Sequence, residues 1–141
     1  MLDLKFIREN PDIVEASLKH RQADMSLSRL LDADRQWRTA QTEADKLRNY
    51  QNNVSKEIAE LKRSNQDASD KITEMKNISQ QIKEFNNQAQ SLKAEIDETL
   101  MEIPNIPHET TPIGSSESDN PEVKRWGKQP NFDFKPKPHW E

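Results

Sequence analysis

Between Asp12 and Ile103 the chain contains neither proline nor glycine. These are the residues that cost a helix interior most, about 1 kcal/mol for glycine and about 3 kcal/mol for proline. They are also the residues that make tight turns. So long a run without either is suited to helix and poorly equipped for a β-fold. Of the eight prolines only Pro11 precedes Pro104, and both glycines, Gly114 and Gly127, come after it. The punctuation therefore divides the chain into a helical part, 1–103, and an extended, turn-punctuated part, 104–141.

Hydrophobic periodicity gives the helical part its shape. Asp3 is placed to cap a short helix through Leu4 and Ile7. Asn10-Pro11 puts a capping residue before a proline at the first helical position, where the missing N–H costs nothing. Ile13, Val14 and Leu18 then form a narrow apolar face, so the short helices span 3–21 and must lie on something larger. Ser26 is a candidate cap for a much longer helix. Leu30, Ala33, Trp37, Ala40, Ala44, Leu47, Gln51, Val54, Ile58 and Leu61 recur in alternating steps of three and four, the a/d seam of a coiled coil. Ser64-Asn65-Gln66-Asp67 interrupts it, with Asp67 able to cap the next helix. The seam resumes at Met75, Ile78, Ile82, Phe85, Ala89, Leu92 and Ile96. Ile72 lies three residues before Met75, which predicts one slip of register near the break. A connection that short demands an antiparallel return. The expected fold is all-α: a long two-helix arm, about 27–64 and 68–102, with two short helices at its base and an irregular tail carrying a short strand at 131–134.

Composition excludes several functions. Hydrophobic residues are 31% of the 141, charged residues 33%, and the mean hydropathy is -1.12, which rules out a thick core. No apolar run approaches the roughly twenty residues of a membrane span or the ten of a signal peptide. Cysteine is absent, so disulfides and thiolate chemistry are too. His20, His108 and His139 lack the spacing of a metal site, and no Gly-rich phosphate loop occurs.

The net charge of -4 shows no basic excess, so an anionic partner must be met by local segregation. From Lys46 to Lys83 there are eight basic and five acidic residues, whereas 84–102 holds one basic and five acidic. In the heptad Arg48 and Lys62 fall at e, Lys56 and Arg63 at f, Lys76 and Lys83 at b. In an antiparallel pair these share one flank or the adjoining back, while Glu57 and Glu74 at g and Glu60 and Glu84 at c take the other. Such a flank suits the phosphates of a structured RNA, which is read largely by shape and backbone. Asn52 and Ser55 add hydrogen-bonding groups beside the cations. The alternative is a structural coiled coil whose mixed charge serves solubility and strand orientation.

The tail carries a resemblance. Ile103-Pro104-Asn105-Ile106-Pro107-His108, Gly114-x-x-Glu117-Ser118-Asp119-Asn120, Arg125-Trp126-Gly127 and Phe132-Asp133-Phe134-x-Pro136-x-Pro138-His139-Trp140 resemble the linker of seryl-tRNA synthetases. Met1-Leu2-Asp3-Leu4-Lys5 and Ile7-Arg8-Glu9-Asn10-Pro11 resemble that family's N-terminus, and Leu47-Arg48, Asn52 and Ser55-Lys56-Glu57-Ile58 its arm. Gln51 stands where the family usually has arginine, and Pro121 where it has a small aliphatic residue. The resemblance implies a tRNA-binding arm domain at 1–103 and a linker at 104–141 leading to a catalytic domain. It implies a cytoplasmic, homodimeric class II enzyme that joins serine to serine tRNA with ATP and Mg2+, and whose arm grips the long variable arm and outer corner of the tRNA. It implies neither a membrane nor a DNA partner. The class II motifs are not among these residues, so the chain alone is expected to bind tRNA through Arg48, Asn52, Ser55, Lys56, Lys62, Arg63, Lys76 and Lys83, to hold no cofactor and to catalyse nothing.

Overall fold

The computed structural model describes residues 1–128 and 130–141. Four helices follow in order: α1 (Leu4–Glu9), α2 (Pro11–His20), α3 (Ser28–Arg63) and α4 (Ser69–Glu102). A single 3-10 turn occupies Glu117–Asp119, and no strand is present among the described residues. The chain divides into two units, Met1–His108 and Glu109–Glu141.

In the first unit several helix ends have a local cause. Phe6 N–H donates to Asp3 Oδ1 at 3.0 Å, which opens α1. Asn10 does not cap α2 with its side chain. Its backbone N–H and its Nδ2 both donate to the Phe6 carbonyl, at 2.9 and 3.1 Å, so it closes α1 and leaves Pro11 to begin α2. Ser26, the expected cap, stands one residue outside the observed one, since Leu27 is the N-cap of α3; even so, its Oγ accepts from Ser28 N–H at 3.3 Å.

Both α2 and α3 end in the same motif. Gln22 (φ 53°) and Asn65 (φ 58°) take the left-handed conformation. The amides at and after each turn back onto the last helical turn: Gln22 to Lys19 and Ala23 to Leu18, Asn65 to Lys62 and Gln66 to Leu61. This double bond satisfies carbonyls that a helix end leaves orphaned. Across the tip, Asp67 Oδ1 accepts from Ser69 N–H (2.9 Å) and Ser69 Oγ (2.6 Å), starting α4. These hydrogen bonds hold the Asp67 carboxyl below the usual range.

The seam residues of both helices are buried or half-buried throughout, with Ala40, Ala44, Val54, Ile78 and Ala89 almost fully enclosed. The register does not slip. Ala68 is buried and Lys71 half-buried, so 68, 71, 75, 78 and 82 continue one unbroken column, and Ile72 is 38% exposed outside it. The column accepts Lys71 because its amine reaches out to carboxylates, as long amphipathic chains do.

At its base the arm thickens into a small core. Ile7, Val14, Leu18, Leu27, Leu30, Ala33, Ile96, Leu100 and Ile103 are buried together, with Trp37 and Leu92 packed on them. Ile13, expected on this face, is 51% exposed at its edge, and Ser17 is buried there with Val14 and Leu18, its hydroxyl enclosed. One charge is buried too: Asp34, 1% exposed, accepts from Arg8 Nη1 at 3.1 Å and Arg38 Nε at 3.0 Å. That pairing ties α1 to α3.

The second unit is held by short-range polar bonds. Asp119 Oδ2 accepts from Ser115 N–H (2.7 Å) and Ser116 N–H (3.0 Å), which keeps its carboxyl below the usual range. Gly114 is required there, since a Cβ would sit 2.4 Å from Asp119 Cβ. The strand expected at 131–134 is absent; this segment is a bend that brings the Phe132 and Phe134 rings to 5.1 Å. Consecutive strand side chains alternate faces, but here no neighbouring strand is present among the described residues to pair with the backbone.

Two substitutions test these contacts through stability. Asp34→Ala should cost about 2–3 kcal/mol, the scale of losing charge-assisted hydrogen bonds whose arginine partners regain water. Asn65→Val should cost about 1–2 kcal/mol, because a β-branched residue is penalised in the left-handed region. Thermal unfolding followed by circular dichroism at 222 nm measures both.

Candidate nucleic-acid interface

The two long helices run antiparallel for 36 and 34 residues, so the arm extends about 50 Å at 1.5 Å per residue. Side-chain bonds across the hairpin identify its two flanks. On one, Arg48 Nη2 donates to Asn86 Oδ1 at 2.6 Å, joining an e position to an e position. Just inside it, Gln51 Nε2 donates to Ser79 Oγ at 2.9 Å. On the other, Lys71 Nζ bridges Glu57 (2.9 Å) and Glu74 (3.2 Å), and Tyr50 O–H donates to Glu74 Oε1. Nearer the base the same flank carries the Arg29–Glu95 pair at 2.7 Å.

This frame places every residue singled out in the sequence. Arg48, Ser55 and Lys62 lie at e and Asn52 at b of α3; Lys76 and Lys83 lie at b of α4, one turn from Ser79 and Asn86. All six belong to the Arg48–Asn86 flank. Lys56 and Arg63, at f, lie on the outer back of α3, each one residue along from Ser55 and Lys62. All eight are exposed.

Their electrostatic state separates them from the other cations of the arm. Arg29, Arg35, Arg38, Lys46, Arg48, Lys71 and Lys93 each hold a carboxylate within 4 Å. Lys56, Lys62, Arg63, Lys76 and Lys83 have no ion pair or side-chain hydrogen bond among the described residues. Five uncompensated cations on the far part of one rod give a local positive field despite the net negative chain. Arg48 differs from them: Asp45 and Asn86 share its guanidinium, so it braces the hairpin as well as charging the flank.

Sequence reasoning missed the Tyr50–Glu74–Lys71–Glu57 network. Its signal was available, because Lys71 occupies a seam position four residues before Met75 and three before Glu74. The buried Asp34 was missed as well; Arg38, four residues later on the same helix face, was its trace.

An open groove lies beside Arg35, Arg38, Thr39, Thr42 and Glu43. Among the described residues no three His, Cys, Asp or Glu side chains converge as metal ligands, and no helix is long and apolar enough to cross a membrane.

Residues 1–107 match the family model described as the seryl-tRNA synthetase N-terminal domain. The chain belongs to that family. Over its whole length it is 46% identical to a serine–tRNA ligase of Methanosarcina barkeri and 43% identical to one of Listeria monocytogenes, covering 34% and 33% of those proteins. It thus spans about a third of the length of the curated relatives it matches. Among solved structures it is similar to the seryl-tRNA synthetase of Pyrococcus horikoshii, determined in complex with ATP. The TM-score is 0.85 at 33% identity, over 90% of this chain and 29% of that one. An all-α arm with two short helices is therefore the family's N-terminal architecture.

The lone tyrosine reports on the flank opposite the free cations. Its bond to the Glu74 carboxylate favours the protonated phenol and raises its pKa above the usual value. The same bond, with that from Lys71, holds Glu74 below the usual carboxylate range. Glu74→Gln should move the Tyr50 transition to lower pH, read as phenolate absorbance at 295 nm. In the unaltered chain the stability that Glu74 contributes is present above the ordinary glutamate range. It is lost as pH falls through the lowered pKa, which a pH series of unfolding curves detects.

Proposed function

We propose that this chain is the tRNA-binding arm of a serine–tRNA ligase, with Lys56, Lys62, Arg63, Lys76 and Lys83 contacting tRNA phosphates. Arg48 adds charge from a fixed position, and Asn52 and Ser55 donate hydrogen bonds to phosphate or ribose oxygens. The supporting observation is that, among the described residues, these five cations and no others on the arm lack a carboxylate neighbour. A lysine already held in an ion pair must break it to meet a phosphate, whereas these are free to release the counterions of the RNA.

The recognised feature is the long variable arm and outer corner of serine tRNA. A rod that tracks backbone phosphates reads the course of a folded RNA better than its base sequence. The parent enzyme, on this reading, is a cytoplasmic homodimer that activates serine with ATP and Mg2+ in a catalytic domain outside these residues. On this reading the share of these helices in the reaction is to hold the tRNA. Residues 104–141 serve as the linker. The exposed Trp126 and Trp140 then belong to surfaces that pack on that domain.

Affinity for serine tRNA should fall roughly a hundredfold between 50 and 200 mM salt if about four phosphates are neutralised. A tRNA with a short variable loop should bind more weakly. Lys76→Glu/Lys83→Glu should weaken binding at least tenfold and flatten the salt dependence, with helicity unchanged. Equal affinity of the variant and the unaltered chain, by fluorescence anisotropy, would refute the assignment. Self-association without preference among RNAs would support a purely structural coiled coil instead.

A further inference from the structure

The distal arm sorts its charges more strictly than a basic flank requires. Beyond Lys46 every helical carboxylate lies at g or c: Glu57 and Glu74 at g, Glu60, Asp70 and Glu84 at c. None lies at e, b or f until past Asn86. Every cation on the acidic side is also cancelled. Lys46 holds Glu43 at 2.7 Å, and Lys71 is shared between Glu57 and Glu74. Lys71 even has its pKa raised by those two carboxylates, so its charge is committed to them. Glu60 and Asp70 have no cation partner among the described residues, and Glu84 accepts only from the neutral Gln80 amide at 2.8 Å.

Resting on the RNA-binding reading above, we infer that this acidic edge is a phosphate-excluding rail that makes the arm accept RNA from one side only. A rod with free cations on all sides would bind a polyanion in many rotations about its axis. With uncompensated carboxylates along one edge, a phosphate chain laid there meets like charges at close range. Of the possible rotations, only the one presenting Lys62, Lys76 and Lys83 remains favourable. The rail thus contributes specificity by repulsion and gives up some total affinity for it. Its carboxylates make no contact with RNA in the productive complex, so an inspection of contacts would overlook them.

The absence of cysteine from the chain makes the test direct. Ala59, at b, lies on the basic flank, and Asn53, at c, on the acidic one; both are exposed and neither is hydrogen-bonded through its side chain among the described residues. Ala59→Cys and Asn53→Cys, each in the full chain, are coupled to an iron chelate that generates hydroxyl radicals and incubated with serine tRNA at low salt. Cleavage is expected from position 59 and not from 53. In the background Glu60→Gln/Asp70→Asn/Glu84→Gln, the probe at 53 should begin to cut. Affinity for a tRNA with a short variable loop should then rise about two- to fivefold, the scale of three charges acting near one Debye length. Cleavage from 53 in the unneutralised chain would overturn the inference, as would continued silence at 53 after neutralisation. If the unlabelled chain shows no salt-sensitive RNA binding, the underlying reading falls and the rail with it.

Discussion

A hairpin of two helices has one seam, and everything above the base of this arm depends on it. Above the base no third layer covers either helix among the described residues, so residues outside positions a and d face water there. The chain's low hydrophobic content is enough for such a structure because the buried apolar residues are concentrated on that column and on the small core beneath it. The same economy makes register decisive. Sliding one helix by a residue would move the seam out of the contact and disperse the charges that the heptad keeps apart. The bonds from Arg48 to Asn86 and from Gln51 to Ser79 therefore matter less for their strength, which is small at an exposed site, than for the single alignment they share with the seam.

Separation of charge comes from this alignment without any further device. Once a and d face inward, e and b must fall on one flank and g and c on the other. A sequence that assigns lysine to the first pair and glutamate to the second becomes a two-sided rod on folding. The ion pairs lie where the carboxylates are, and the unpaired cations lie where they are not. At the base the opposite solution appears: Asp34 is buried and matched by two arginines, which fasten α1 without leaving a free charge.

The helices, their antiparallel return and the flank of each candidate residue are legible in the chain because periodicity dictates them. Expectation and structure part where a local choice depends on partners distant in sequence. Ile72 has the hydrophobicity of a seam residue, but Lys71 takes the place because Glu57, fourteen residues back, receives its amine. Asn10 has the chemistry of a helix start, yet the Phe6 carbonyl of the preceding helix claims its amide. The alternation of Phe132 and Phe134 suggests a strand, which no local pattern can supply without a neighbour to pair with. The proposed phosphate contacts leave a weaker trace than the fold, since a lysine on a solvated face has the same sequence pattern whether or not it meets RNA. What distinguishes Lys56, Lys62, Arg63, Lys76 and Lys83 is the absence of a carboxylate neighbour among the described residues, a property of the folded arm.

The alanines of the seam have a mechanical consequence. Continuing the register from the Gln51–Ser79 bond toward the base brings Ala40 level with Ala89, and Ala44 lies one layer further out. Small side chains on both helices let the axes approach. The resistance of two bonded rods to flexing in their common plane grows with the square of their spacing. The Ala40 and Ala89 level is thus the layer where both helices contribute only a methyl group to the seam. Beyond it larger seam residues such as Leu47 and Ile82 take over, so resistance to bending in that plane is expected to be lowest at the level of Ala40 and Ala89.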